Sequence, residues 1–174
     1  MGAKRSMSTA PRALTRICAA LARASLMLAV IGLIGVVVCV QVQVVGRYVF
    51  NDTPTWAEAL AMLLILYVTA FGLAVGVREG GHIGFDSVVG YLPEQWRLRF
   101  EMLIHALVAL FGALMASSGW LWTRLKWHEL KPMLAVPEGV DFLPLVIAGV
   151  LIVVFSVEHC VALLRSEEVR PAWH

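Results

Sequence analysis

Residues 24–45 read ASLMLAVIGLIGVVVCVQVQVV, a run without a single charge whose main polar interruptions are Gln41 and Gln43. An α-helix rises about 1.5 Å per residue, so roughly 20 apolar residues cross a hydrocarbon layer about 30 Å thick. This run is therefore read as a membrane span, and three others of the same kind follow it. They extend from about Trp56 to Val77, from Phe100 to Thr123 and from Phe142 to Leu164. Glu58 falls in the first turn of the second span, and no span carries a charge at its centre. Pro144 falls in the first turn of the fourth, where its missing N–H has no helical partner to lose. The predicted fold is an all-α integral membrane protein of four transmembrane helices. A basic segment (1–23) precedes the membrane domain (24–164), and a short tail (165–174) follows it.

Composition agrees with that reading. Of 174 residues 60% are hydrophobic and 15% charged, and the mean hydropathy is +0.81, too apolar for a soluble core of this size to be covered by polar surface. A net charge of +2 argues against a nucleic-acid binder held by phosphate contacts. Cys18, Cys39 and Cys160 lie in or beside apolar stretches without a CxxC pair, and are read as small hydrophobes rather than metal ligands or disulfide partners.

Orientation follows from where Lys and Arg fall between the spans. Ten lie in the N-terminal segment (Lys4, Arg5, Arg12, Arg16, Arg23), the second loop (Arg78, Arg97, Arg99) and the tail (Arg165, Arg170). Four lie on the opposite side, at Arg47, Arg124, Lys126 and Lys131. This bias predicts both termini in the cytoplasm. The first apolar run is longer than a signal-peptide core of about 7–15 residues and leads into Gly46-Arg47-Tyr48-Val49-Phe50, which is no cleavage site, so it is expected to stay as an anchor.

Two stretches have amphipathic spacing. Leu14, Ile17, Cys18 and Leu21 stand opposite Arg12, Arg16 and Arg23, consistent with a basic turn on an anionic leaflet or with a solvated tail. In the second loop Phe85, Val88, Val89, Leu92 and Trp96 share a helical face behind Asp86 as a candidate N-cap, with Pro93 making the segment short or bent. Trp120, Trp122 and Trp127, among Arg124, Lys126 and Lys131, have the pattern of interfacial anchors.

The sequence holds no Walker A, GxGxxG, HExxH or GxSxG pattern, so an enzyme is not expected. Polar groups within spans are costly and often functional, and four need weighing. His105 and His159 are predicted at one depth, roughly 7 to 8 Å below the cytoplasmic interface on neighbouring spans, as the axial ligands of a small cytochrome b-like electron carrier would be. Glu101 and Glu158 beside them admit a proton relay or metal site, but the favoured expectation is that the four reach headgroups, water or each other near the helix ends. Arg47 and Glu58 flank the first loop, where they could pair to close the hairpin or face a partner. Gly72-x-x-x-Gly76 in the second span is a close-packing motif, expected between the chain's own helices more than against a partner, and Ala106, Ala109, Ala113 and Ala116 line one side of the third. The fourth span, rich in Val, Ile, Leu and Phe, is the expected lipid-facing or partner-facing helix.

A family resemblance rests on Arg47-Tyr48-Val49-Phe50-Asn51, Trp56-Ala57-Glu58-Ala59-Leu60, Gly81-His82-Ile83 with Asp86, and Phe142-Leu143-Pro144-Leu145. In this order and spacing they resemble the small membrane subunit of tripartite ATP-independent periplasmic (TRAP) transporters, over nearly the whole chain beyond its basic N-terminus. The family commonly has two adjacent acids after the Trp; here Ala59 takes the second place and Glu58 stands alone.

The resemblance implies a scaffold subunit of a secondary transporter in the bacterial inner membrane. Its partners would be a large multi-span membrane subunit, a periplasmic solute-binding protein and the lipid bilayer, with no nucleic acid. The large subunit would carry the sodium ions and an organic acid or similar solute, and this chain no cofactor. On this reading Arg47, Tyr48, Phe50, Asn51, Trp56 and Glu58 outside, and His82, Asp86 and Trp96 inside, serve assembly or register together with Gly72 and Gly76. The loop from Trp127 to Val136 would either touch the binding protein or anchor the interface. A free-standing membrane assembly factor is a third reading.

Overall fold

The computed structural model describes the backbone of residues 9–80 and 94–164, and the side chains of residues 14–80 and 99–164. Its elements are α1 (Thr9–Val49), α2 (Thr55–Glu79), α3 (Glu94–Leu125), a 3-10 turn (Glu138–Asp141) and α4 (Leu143–Leu164). Each of the four helices is long and apolar enough to cross a membrane. The predicted amphipathic segment of the second loop, with His82 and Asp86, lies outside the described residues. Trp96 is in the first turn of α3, and its side chain lies outside them too.

At 41 residues α1 is about 60 Å long, twice the hydrocarbon thickness. The basic stretch expected to precede the first span is, from Thr9 onward, continuous with it. Within that stretch Cys18 and Ala22 are fully buried against the bundle.

Among the described side chains of α1 the buried ones are Cys18, Ala22, Ser25, Ala29, Gly32, Cys39 and Gly46, and half-buried Val36 and Gln43 complete a series of alternating steps of four and three. This is a heptad seam made of small side chains, which lets backbones approach closely inside a membrane. It meets α2: a methyl built on Gly32 would lie 2.7 Å from Val68 Cγ2, and one on Gly35 3.0 Å from Leu64 Cδ1.

The α1–α2 hairpin is closed by backbone. The Gly46 carbonyl accepts from the amides of Phe50 (3.2 Å) and Asp52 (3.1 Å), and the Ala57 amide donates to the Pro54 carbonyl at 3.1 Å. Asn51 takes the left-handed conformation at φ 51°, which Asn tolerates better than most residues. A side chain on Gly46 would stand 2.7 Å from the Asp52 carbonyl oxygen and 2.8 Å from Pro54 Cδ, so only glycine fits there.

α2 and α4 pack together at the centre, with α1 against α2 and α3 against α4. The expectation that the fourth span faces lipid or a partner is corrected by its packing against the chain's own helices: α4 buries Ala148, Gly149, Leu151, Ile152, Phe155, Ser156, Glu158 and His159. Its contact with α3 is nearly backbone to backbone, since a methyl on Gly149 would lie 2.5 Å from the Gly112 carbonyl oxygen and 2.6 Å from the Ala116 amide. The small-residue side of α3 is therefore Gly112, Ala116 and Gly119, whereas Ala106 and Ala113 are exposed.

Gly72 and Gly76 do not form the intrachain contact expected of them. Both are exposed, and a methyl on either would meet nothing within 4 Å, so this GxxxG packs against none of the described helices.

Between α3 and α4 the chain makes a short ordered loop. An antiparallel bridge joins Leu130 to Pro137, the Lys131 amide donates to the Val136 carbonyl at 2.9 Å, and that of Glu138 to the Glu129 carbonyl at 2.7 Å. Tyr67 Oη of α2 donates to the Val140 carbonyl at 3.2 Å and ties the loop to the bundle.

Candidate functional site

Two regions gather the polar residues that an apolar bundle must account for. One is a buried charged cluster where α2 and α4 end; the other is the exposed α1–α2 turn at the opposite end.

In the cluster, Arg78 in the last turn of α2 and Glu158 near the end of α4 are each 2% exposed. They form a two-point ion pair, Nε to Oε2 at 3.0 Å and Nη2 to Oε1 at 3.2 Å, and the Arg78 Nη1 donates to Glu79 Oε1 at 2.9 Å. Planar guanidinium and carboxylate match at two points, the strongest arrangement available to a desolvated pair. His159 Nε2 lies 2.9 Å from the Arg78 carbonyl oxygen; a carbonyl only accepts, so this nitrogen carries the proton. Arg78 also sits 5.9 Å from the centre of the Phe155 ring.

The other two helices join here. His105 of α3 stacks on His159 with ring centres 4.7 Å apart and planes 4° from parallel. Cys18 of α1, fully buried, faces the Glu158 carboxylate. All four helices thus meet at one set of polar contacts. Of the alternatives for Glu101, His105, Glu158 and His159, the structure brings His105 and His159 against each other and gives Glu158 to Arg78. The partner missed from sequence was Arg78, read only as a loop charge. The signal was present: an acid inside a span requires a nearby base, and α2 ends on one.

The stacked histidines do not suit the haem alternative. Axial ligands direct one nitrogen each from opposite sides at an iron between them, whereas these rings lie face to face and His159 Nε2 is committed to a backbone carbonyl. Among the described residues no group of three or more His, Cys, Asp or Glu is placed to hold a metal ion.

At the other end Arg47, Tyr48, Phe50, Asn51, Trp56 and Glu58 are all exposed, Tyr48 at 83% and Phe50 at 73%. The structure brings them to one turn but does not pair Arg47 with Glu58, and the turn is closed by Gly46 instead. Their side chains contribute little to this chain's own core and point outward.

Residues 36–166 match the family model described as the DctQ component of tripartite ATP-independent periplasmic transporters. The chain is similar to a putative TRAP transporter small permease protein of Haemophilus influenzae, 23% identical over 115 residues that cover 66% of this chain and 71% of the relative. It is 27% identical over 105 residues to the C4-dicarboxylate TRAP transporter small permease protein DctQ of Vibrio cholerae, covering 58% of this chain and 45% of that one. A stretch of 66 residues, 38% of this chain, is 35% identical to 11% of the sialic acid TRAP transporter permease protein SiaT of Haemophilus influenzae.

Proposed function

Because the chain belongs to the DctQ-component family of tripartite ATP-independent periplasmic transporters, we propose that it is the scaffold subunit of such a transporter. It binds the large membrane subunit and holds it in the bilayer during sodium-coupled uptake of an organic acid or similar solute, delivered by a periplasmic binding protein. The sodium ions belong to the large subunit, and this chain takes no cofactor.

One observation carries the reading: the division of labour within the four helices. The charged groups buried in the described bundle, Arg78 and Glu158, are spent on each other, while α1 exposes an apolar face along its length, from Met27 (69%) through Ile31 (65%) and Ile34 (59%) to Val38 (55%). Secondary transporters build substrate sites from interrupted helices with free polar groups at mid-membrane, and all four spans here are continuous. Such a bundle suits holding better than conducting. That similar sequence occurs within 11% of a much longer permease chain supports a working partnership with a large subunit.

The excess of Lys and Arg at the Arg78 end supports an inner-membrane orientation with both termini cytoplasmic. The solute is set elsewhere, since the relatives are named for C4-dicarboxylate and for sialic acid. The test is sodium-driven uptake in proteoliposomes reconstituted with binding protein and large subunit, with and without this chain. The proposal expects uptake to fall to background without it; undiminished uptake would refute it.

A further inference from the structure

The seam of α1 leaves one residue in an unexpected place. Gln41 lies midway between the seam positions Cys39 and Gln43, and at about 100° per residue it points directly away from α2. It is exposed, and its amide has no hydrogen-bond partner among the described residues. It is also deep: six residues before Arg47, or about 9 Å further into the membrane, with valines at 40, 42, 44 and 45 around it.

Around Gln41 runs an apolar groove of about 570 Å³, lined by Val38, Val45, Phe50 and Pro54, with Asp52 at its outer rim. Asp52 is exposed and has no ion-pair partner among the described residues. Lipid tails do not satisfy Gln41, and an amide left bare in hydrocarbon is costly, while Asp52 sets a negative charge at the mouth of the groove. Whatever covers the groove therefore offers a hydrogen-bonding group at the depth of Gln41 and a positive one at the level of Asp52. A second copy of this chain, related by a two-fold axis, would bring Asp52 against Asp52 and fails on charge.

We propose that this face of α1 receives a transmembrane helix of the large membrane subunit, with Gln41 exchanging hydrogen bonds with that helix and Asp52 facing a Lys or Arg near its outer end. The inference rests on the transporter reading above and names the surface through which it operates.

The test uses the intact complex in membranes. Val38 or Val45 is replaced by photo-reactive benzoylphenylalanine, with Leu107 on the exposed side of α3 as the comparison position. Adducts with the large subunit are expected from 38 and 45 and not from 107. In parallel, Gln41→Leu is expected to lower recovery of the large subunit about three- to tenfold, in line with an interhelical side-chain hydrogen bond in a membrane, and to leave the melting temperature of the separated small chain unchanged.

Adducts from 107 alone, adducts between two copies, lipid adducts only, or unchanged recovery with Gln41→Leu would each overturn the surface while leaving the subunit reading intact. Absence of the large subunit from every adduct and from the wild-type purification would overturn both.

Discussion

Arg78 and Glu158 stand 80 residues apart in sequence and form a desolvated pair on which the α2–α4 contact turns. Removing one partner strands the other charge, so Arg78→Met or Glu158→Leu alone should cost about 3–5 kcal/mol and lower the melting temperature in detergent sharply. The double replacement should recover most of that loss, because an apolar pair of similar volume needs no desolvation. A double variant no more stable than either single one would show that the pair itself is not what matters.

Surface charges respond differently, through pH. In the turn after α3, the hydrogen bond from Lys126 holds the Glu129 carboxyl below its ordinary pKa, and the same bond raises that of the Lys126 ammonium. A depressed carboxyl contributes stability above its unfolded value and loses it as pH falls through the folded one. A raised ammonium contributes below its unfolded value and loses it as pH rises through the folded one. The turn is therefore firmest across the neutral range, and both groups are exposed, so the effect is local. Amide exchange over residues 126–138 should quicken below the ordinary glutamate range, and Glu129→Gln should remove that acid-side dependence.

At the scale of elements, hydropathy located the helices and misjudged their faces. The spans read as 56–77 and 142–164 are α2 (Thr55–Glu79) and α4 (Leu143–Leu164), within two residues at each end. The reading of α4 as a lipid-facing or partner-facing helix fails because, in a bilayer, an apolar side chain is equally at home against lipid, a partner or another helix of its own chain. What separates the two is side-chain size. The small residues of α1 at steps of four and three, and the Gly112, Ala116 and Gly149 contact, mark where helices touch. The GxxxG of α2 misleads for the complementary reason: small residues permit close approach but do not compel it, and a methyl on Gly72 or Gly76 would meet nothing of the other described helices within 4 Å. Gly149→Val should accordingly destabilise the bundle by about 1–3 kcal/mol or more through overpacking against α3. Gly76→Ala should leave thermal unfolding of the small chain unchanged within about 0.5 kcal/mol.

For the whole molecule, the candidate site was half visible beforehand. Helix arithmetic puts His105 and His159 at one depth, and the packing of α3 on α4 turns that into a stacked pair. Their meaning was not visible, because it depends on Arg78 arriving from α2 and Cys18 from α1, and contacts across four helices leave no local pattern. The turn residues from Arg47 to Glu58 stand together in space as they do in sequence, displayed by the Gly46 turn instead of closing it. On the proposal above, the buried polar cluster of the described bundle serves its own packing, and the apolar α1 face, with Gln41 turned outward and unpartnered among the described residues, serves contact with the large subunit. The direct measurement is affinity purification of this chain from its native membranes in mild detergent, with stoichiometry read by native mass spectrometry. The account predicts an equimolar complex with one large multi-span membrane protein; the chain emerging alone or only as copies of itself would contradict it.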